Sequence, residues 1–381
     1  VKILINAIIS KMGGIKVIVN SFIESIDECD GNEYHLLAYE NSIDKDVIEK
    51  KPDNVFIHET KAGDLSDIKK FLWYQFELPK YIKKNRFDYM INLSNYGPIK
   101  PGCKQILLLN NSKHVSEEMK RSNKTKNKAV LILQDSIFRL SLIGVTKLVV
   151  QTQYMKNGVL KKFNLVDGQI AVIPNCPQRM DQSVIDIDLE NRLTHFIETE
   201  TNVFVNITLY CRHKNLERLI EAVRYIKETS KMQFKLVLTI DDKEGSEAAY
   251  LLSLIKTYSL EDYVMSAGNI KHEHIHQVLK RAKAFIFPSY AESFGIPYVE
   301  AMRFGLPIIA ADLGFAHDVC GEAALYFRYD SVEDLAEKMI TVMCNNEIHE
   351  RLRQESKRRN SLFDGEEIVK AYLSQVKEEN Q

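Results

Sequence analysis

The sequence predicts two successive α/β domains, each a parallel sheet with helices on both faces. Three observations carry that prediction. Short, nearly continuous apolar runs alternate with helix-length segments along the chain, as expected of strands buried on both faces. The rhythm breaks between about residues 174 and 201. The chain has 381 residues, which at about 150 per domain suits two domains. With 45% hydrophobic and 27% charged residues, it can bury large cores.

The elements follow in order. Residues 2–9 are the first apolar run and read as a buried strand. Lys11-Met12-Gly13-Gly14 is a loop, and Ile15, Ile18, Val19, Phe22, Ile23 and Ile26 then recur at helical spacing. Further strands are expected at 87–93, 105–109 and 146–152. Pro174-Asn175-Cys176-Pro177 is a stop signal, and the polar stretch after it puts the linker at 179–200. That leaves 1–178 as the N-terminal domain and 201–381 as the C-terminal one. In the second domain, strands at 203–209, 235–240, 264–267, 284–287 and 307–310 alternate with helices at 216–227, 246–258, 274–280 and 298–304, before a helical tail. Open parallel sheets bind ligands beyond the carboxyl ends of their strands, so two such domains facing each other are expected to make a cleft.

Composition narrows the function. Lys and Arg total 51 against 52 for Asp and Glu, a balance that argues against a nucleic-acid binder. Six cysteines with no C-x-x-C pair argue against structural zinc or a disulfide framework and fit the cytoplasm. No apolar stretch approaches the roughly 20 residues of a membrane span, and residues 1–5 read as a strand and not as a signal peptide.

Three segments carry chemistry. In Pro288-Ser289-Tyr290-Ala291-Glu292-Ser293-Phe294-Gly295-Ile296-Pro297-Tyr298-Val299-Glu300, Pro297 suits the first position of a helix. Glu292 then falls in the preceding loop and Glu300 in the first helical turn, and both can face one ligand. Ser293, Phe294 and Gly295 would offer backbone N–H groups to an anion at the helix start. In Arg212-His213-Lys214-Asn215, Asn215 is a good N-cap. Two cations beside the positive end of a helix dipole are unfavourable without an anion, and a diphosphate fits. Gly13-Gly14, at a strand-to-helix turn, lets backbone approach a phosphate or sugar. Neither G-x-G-x-x-G nor G-x-x-x-x-G-K-[ST] occurs, which disfavours a dinucleotide-dependent oxidoreductase.

Glu292 and Glu300, within Phe-Pro-Ser-Tyr-Ala-Glu-Ser-Phe-Gly-Ile-Pro and followed by Glu-Ala-Met-Arg-Phe-Gly-Leu-Pro-Ile-Ile-Ala, resemble glycosyltransferase family 4. Gly321-Glu322-Ala323-Ala324-Leu325-Tyr326-Phe327, Lys214-Asn215-Leu216 and Val150-Gln151-Thr152-Gln153 extend the likeness. The resemblance implies the GT-B fold, with two Rossmann-like domains across a donor-binding cleft. It also implies retaining transfer of a sugar from a nucleotide diphosphate-sugar donor to a glycan or lipid-linked glycan, in cell-surface polysaccharide synthesis. It places the acceptor on the N-terminal side and the donor on the C-terminal side. By the same resemblance, Glu300 holds the donor ribose, Glu292 sits against the transferred sugar, Arg212 and Lys214 bind the diphosphate, and Gly14 approaches it. No metal or other cofactor is expected. The family's usual N-terminal histidine is missing: the segment reads Leu109-Asn110-Asn111-Ser112-Lys113-His114. An asparagine, Asn110 or Asn111, takes its place by hydrogen bonding, or else His114 does so from slightly further along. That departure keeps a non-catalytic GT-B scaffold subunit as the alternative.

Three further features have ordinary readings. Asp186-Ile187-Asp188 lies in the polar linker and is expected to be a coincidence, not a metal signature. His272, His274 and His276 are expected to be solvent-exposed histidines, since no cysteine or carboxylate cluster completes a metal site. Lys113, Lys120, Arg121, Lys124, Lys126 and Lys128 precede the apolar run 129–133 and the pair Ile137-Phe138. They form either a solvated loop leading into a core helix or, over 113–138, a surface resting peripherally on anionic lipid at the inner face of the membrane.

Overall fold

The structure is a computed structural model and describes residues 1–8, 14–28, 30–116 and 128–377. By contact, the chain divides into two units, Val1–Arg179 with Phe363–Gln381, and Met180–Leu362.

The first unit is built on seven parallel strands: β1 (Lys2–Ala7), β2 (Glu33–Tyr39), β3 (Val55–Thr60), β4 (Tyr89–Asn92), β5 (Lys104–Leu108), β6 (Lys147–Val150) and β7 (Ile170–Val172). Their order across the sheet is β3-β2-β1-β4-β5-β6-β7. The second unit has six: β8 (Val203–Asn206), β9 (Lys235–Leu238), β10 (Val264–Ser266), β11 (Ala284–Phe287), β12 (Ile308–Ala311) and β13 (Ala324–Phe327), in the order β10-β9-β8-β11-β12-β13. Each sheet grows one way from its first strand and then reverses, at β1/β4 and at β8/β11. Such switch points open a crevice at the carboxyl ends of the strands.

A buried asparagine marks each reversal. Asn6 of β1 donates through Nδ2 to Asn92 Oδ1 of β4 at 3.0 Å. Asn206 of β8 donates to the Ile286 carbonyl of β11 at 2.7 Å. The first is extended by Ser94, whose Oγ lies 2.6 Å from Tyr74 Oη. Most buried polar groups are paired, and through these Nδ2 bonds the two asparagines pin adjacent strands where the crevice opens. Beneath the second sheet, Leu216, Leu219, Ile220, Val223 and Ile226 of the helix Leu216–Thr229 are fully buried. Each such side chain contributes about 1.5–3 kcal/mol.

Two expectations about the domain boundaries need correcting. Within the stretch expected as linker, Ile187–Ile197 is a helix of the second unit that buries Leu189, Leu193 and Ile197. Asp186 caps it by accepting from the Leu189 N–H, and Asp188 pairs with Arg192 at 3.0 Å, so this aspartate pair serves the helix. The second domain also does not run to residue 381. The helix Gly365–Lys377 belongs to the first unit, where Tyr372 packs edge-on against Phe22 with ring centroids 5.5 Å apart.

Candidate functional site

The loops that follow β8 and β11, on either side of the second switch point, are the two charged segments singled out in the sequence. After β8 the chain makes a 3-10 turn, Arg212–Lys214, and Asn215 follows in the left-handed region at φ 58°. The Asn215 side chain does not cap the next helix, contrary to expectation. Its Nδ2 donates instead to the carbonyls of Tyr329 (2.9 Å) and Pro288 (3.3 Å). The Tyr290 N–H donates to the His213 carbonyl at 2.9 Å. Together these bonds lock one loop to the other.

At their junction Lys214 Nζ donates to Glu292 Oε1 at 2.6 Å, and Ser289 Oγ lies 2.7 Å from the same oxygen. Both members of the ion pair are 15% exposed. Lys214 Nζ also lies 4.8 Å from the centre of the Phe287 ring. Burial pulls the Glu292 carboxyl up, but Lys214 and His213 more than offset it and hold it below the ordinary range. His213, with Nε2 3.9 Å from Glu292, is pushed below the usual imidazole value by burial, against the pull of that carboxylate. The anion inferred for Lys214 from helix electrostatics is thus supplied from within the chain. Arg212 is exposed and borders an open depression with Tyr210, Tyr250 and Tyr290.

Ser293, Phe294 and Gly295 lead from Glu292 into the helix Ile296–Arg303, of which Pro297 is the second residue and not the first. Gly295 has φ 86°, and a Cβ there would come within 2.6 Å of the Tyr298 ring, so only glycine makes this turn. Phe294 is buried. Glu300 lies in the second turn of the helix, not the first, and is only 4% exposed. A buried carboxylate needs a partner, and it has one in His272, whose Nε2 is 3.0 Å from Oε1. The three alternating histidines are therefore not a solvent-exposed set. His276 is fully buried, with Nδ1 2.9 Å from the Glu273 carbonyl; His274 is largely buried beside Glu273. Among the described residues no group of three or more His, Cys, Asp or Glu could hold a metal ion. His272 was missed as a site residue because its partner lies 28 residues away and only the loop after β10 brings them together.

In the first unit Gly14 opens the helix Gly14–Glu24 at the carboxyl end of β1, while Gly13 lies outside the described residues. Asn110 takes its place after β5 through a 2.9 Å bond from its N–H to Asn95 Oδ1. Asn111 accepts from the Lys113 N–H at 3.0 Å, capping the turn Ser112–His114. His114 is 1% exposed. Its Nδ1 is 2.8 Å from Asp135 Oδ1 and its Nε2 3.3 Å from Tyr96 Oη, and its ring stacks on Phe138 at 4.7 Å. With both nitrogens engaged it is a core histidine, and no face of it is open to a substrate. Lys120, Arg121, Lys124 and Lys126 lie outside the described residues.

Burial drives the His114 pKa down to about 4, against the opposing pull of Asp135. A test of this core role follows. His114→Ala should cost about 2–4 kcal/mol, as other large core truncations do. The folded ring takes a proton only near 4, whereas an unfolded chain takes it near the ordinary 6.5. The unfolded state therefore gains protons first as pH falls, and stability should decline from about pH 6.5 down to about 4. Urea unfolding across that range should show the slope in the parent and a shallower one in the variant.

Residues 189–359 match the model of the family described as Glycosyl transferases group 1. The chain is 26% identical to the O-antigen chain mannosyltransferase B of Escherichia coli over 32% of each chain. It is 25% identical to the O-antigen chain mannosyltransferase RfbU of Salmonella typhimurium over 46% of this chain and 45% of that one. Each match thus spans less than half of the relative's length. Among solved structures, sucrose-phosphate synthase from Thermosynechococcus elongatus superposes with a TM-score of 0.75 at 18% identity, over 99% of this chain and 98% of that one. Anabaena HepE in complex with UDP and glucose gives 0.71 at 17% identity, over 99% of both chains. These likenesses establish the two-unit GT-B fold.

Proposed function

From a chain whose residues 189–359 belong to the glycosyl transferases group 1 family, we infer a retaining glycosyltransferase. It moves a sugar from a nucleoside diphosphate donor to a glycan or lipid-linked glycan, in cell-surface polysaccharide synthesis. The observation that carries this reading is the pairing of Lys214 with Glu292 and of His272 with Glu300, on the segments that follow β8, β10 and β11 in one sheet. Relatives named as O-antigen chain mannosyltransferases support the setting.

In this reading the bond between the sugar's anomeric carbon and the diphosphate oxygen breaks, and the acceptor hydroxyl oxygen bonds to that carbon while its proton passes to the departing diphosphate. The leaving diphosphate gains negative charge. Lys214 and Arg212 stabilise that charge most as it develops, together with backbone N–H groups of Ser293, Phe294 and Gly295. Glu292 sits against the transferred sugar and Glu300 holds the ribose through its hydroxyls. Gly14 approaches the diphosphate from the first unit. That unit takes the acceptor, with Asn110 and Asn111 on its side of the reaction. The proposal includes peripheral contact with a membrane at its cytoplasmic face. No helix among the described residues is long and apolar enough to cross one.

The test is thermal unfolding with UDP, GDP and ADP, joined to a screen of nucleotide sugars for nucleoside diphosphate release. A ligand at 100 times its Kd stabilises by about 2.7 kcal/mol, a plain upward shift in Tm. One nucleotide is expected to give it, and one of its sugars to be turned over. A shift without turnover of any donor, with or without acceptor, would support the scaffold subunit, an alternative that the asparagines at 110 and 111 keep open and the paired Lys214 and Glu292 speak against. Neither shift nor turnover would refute a donor site altogether.

A second expectation concerns metal. With Arg212, Lys214 and helix-start N–H groups neutralising the diphosphate, activity should survive EDTA. Strict dependence on added Mg²⁺ or Mn²⁺ would mean that the leaving group is held some other way.

A further inference from the structure

The helix Asp67–Asn85 buries one stripe and displays another. Tyr74, Leu78 and Ile82 pack into the core of the first unit. Away from them, Ile68 is 71% exposed, Leu72 47% and Phe76 59%. Their i, i+4, i+8 spacing sets the three along one line of the helix. Single exposed apolar side chains are ordinary, but a line of them is not. The same segment is strongly basic. Residues 67–86 hold six cations, Lys69, Lys70, Lys80, Lys83, Lys84 and Arg86, against two carboxylates, Asp67 and Glu77.

A second helix continues the surface. In Lys128–Leu142, Ile132, Leu133 and Leu140 are exposed, as is Ile143 just after it. Strand register shows that both helices cover one face of the sheet. Leu4 pairs with Met90, Met90 with Gln105, and Leu107, two residues further on, with Leu148. Paired residues of a parallel sheet point the same way, as do residues two apart, so Leu4, Met90, Leu107 and Leu148 share a side. Leu4 and Met90 pack with the first helix, and Leu107 and Leu148 with Phe138 of the second. Between the helices, Gln75 bonds the Gly97 carbonyl and the Ile99 N–H, while Gln105 Nε2 bridges the carbonyls of Pro98 and Gly144.

We propose that the outer side of this helix layer docks on an anionic lipid bilayer. Ile68, Leu72 and Phe76 enter the boundary between headgroups and acyl chains, and the surrounding lysines hold the lipid charge. The charge pattern selects this occupant. A second copy meeting the same face would set six cations against six, whereas an anionic bilayer complements them. The proposal deepens the membrane contact of the function above and moves its weight from 113–138 to the helix Asp67–Asn85. It rests on that function only for the presence of a bilayer.

The experiment is co-sedimentation of the full chain with vesicles of phosphatidylglycerol and phosphatidylcholine, beside vesicles of phosphatidylcholine alone. Binding to the anionic vesicles only is expected, with a fall as salt rises above about 0.1 M. The double variant Ile68→Ser/Phe76→Ser should lower partitioning at least about tenfold, and Lys80→Glu/Lys83→Glu should remove most of its salt dependence. All four side chains are exposed, so both variants should keep the parent's Tm and its response to nucleotide, which separates this test from that of the donor site. Binding to neither vesicle, or equally to both, would overturn the proposal. So would full anionic binding by both double variants, which would return the contact to 113–138. A parent dimer in light scattering that Ile68→Ser/Phe76→Ser makes monomeric, without vesicle binding, would assign the face to a second copy instead.

Discussion

Lys214→Ala is expected to lower kcat about 100- to 1,000-fold while raising donor KM much less. The loss of one preorganised charge aimed at a developing anion commonly costs about 2.7–4 kcal/mol. On the proposed reading Lys214 is held for such a role. Its Nζ is fixed by Glu292 at 2.6 Å and lies over the Phe287 ring, with 15% exposure, so little reorganisation is needed as the leaving diphosphate gains charge. Glu292→Gln should also act mainly on kcat, since the proposal sets the residue against the reacting sugar. Steady-state kinetics with the donor varied, and circular dichroism as a check on folding, would measure both. A Lys214→Ala enzyme with normal kcat and raised KM would mean that Lys214 grips a part of the donor that does not change charge.

Glu300→Gln should do the reverse, raising donor KM about 10- to 100-fold with kcat far less affected. Charged hydrogen bonds to a group that does not react contribute about 1.5–3 kcal/mol equally to ground and transition states. Glutamine is the better probe than alanine. Glu300 is only 4% exposed, so truncation would add a packing loss. His272→Ala should move KM the same way by a smaller factor, because it frees the Glu300 carboxylate without removing it. A fall in kcat on Glu300→Gln would exchange the roles assigned to the two ends of the donor.

The candidate site was largely legible before the fold was known, for a physical reason. Lys214 and Glu292 lie on two continuous loops and Glu300 on the helix that continues the second, and a glycine with positive φ followed by a proline near the start of a helix leaves a local trace. The electrostatics were only half legible. Helix-dipole reasoning found that Lys214 needs an anion, but not that Glu292, 78 residues away, is that anion. His272 left no trace, being joined to Glu300 only by the fold. Among the elements, β2 and β3 went unread because Glu33, His35, His58 and Glu59 interrupt their apolar runs, although His35 is buried beside the Phe56 ring. The helix Ile187–Ile197 hid in a polar stretch because Leu189, Leu193 and Ile197 suffice to seat it.

The Lys214–Glu292 pair also bears on which anions the proposed site ignores. On the proposed reading, a ligand reaches Lys214 only by offering it more than the carboxylate already does. Free inorganic phosphate, which has nothing else to hold it, competes poorly with a partner tethered in the same chain. A donor anchored elsewhere by its nucleoside brings its diphosphate to the lysine as a tethered group too, and can win the exchange. Millimolar phosphate should therefore inhibit weakly, and a nucleoside diphosphate strongly. On that reading the ion pair is a lock that opens only to phosphates arriving with a nucleoside attached, and it would keep the site clear of the commonest small anions in a cell.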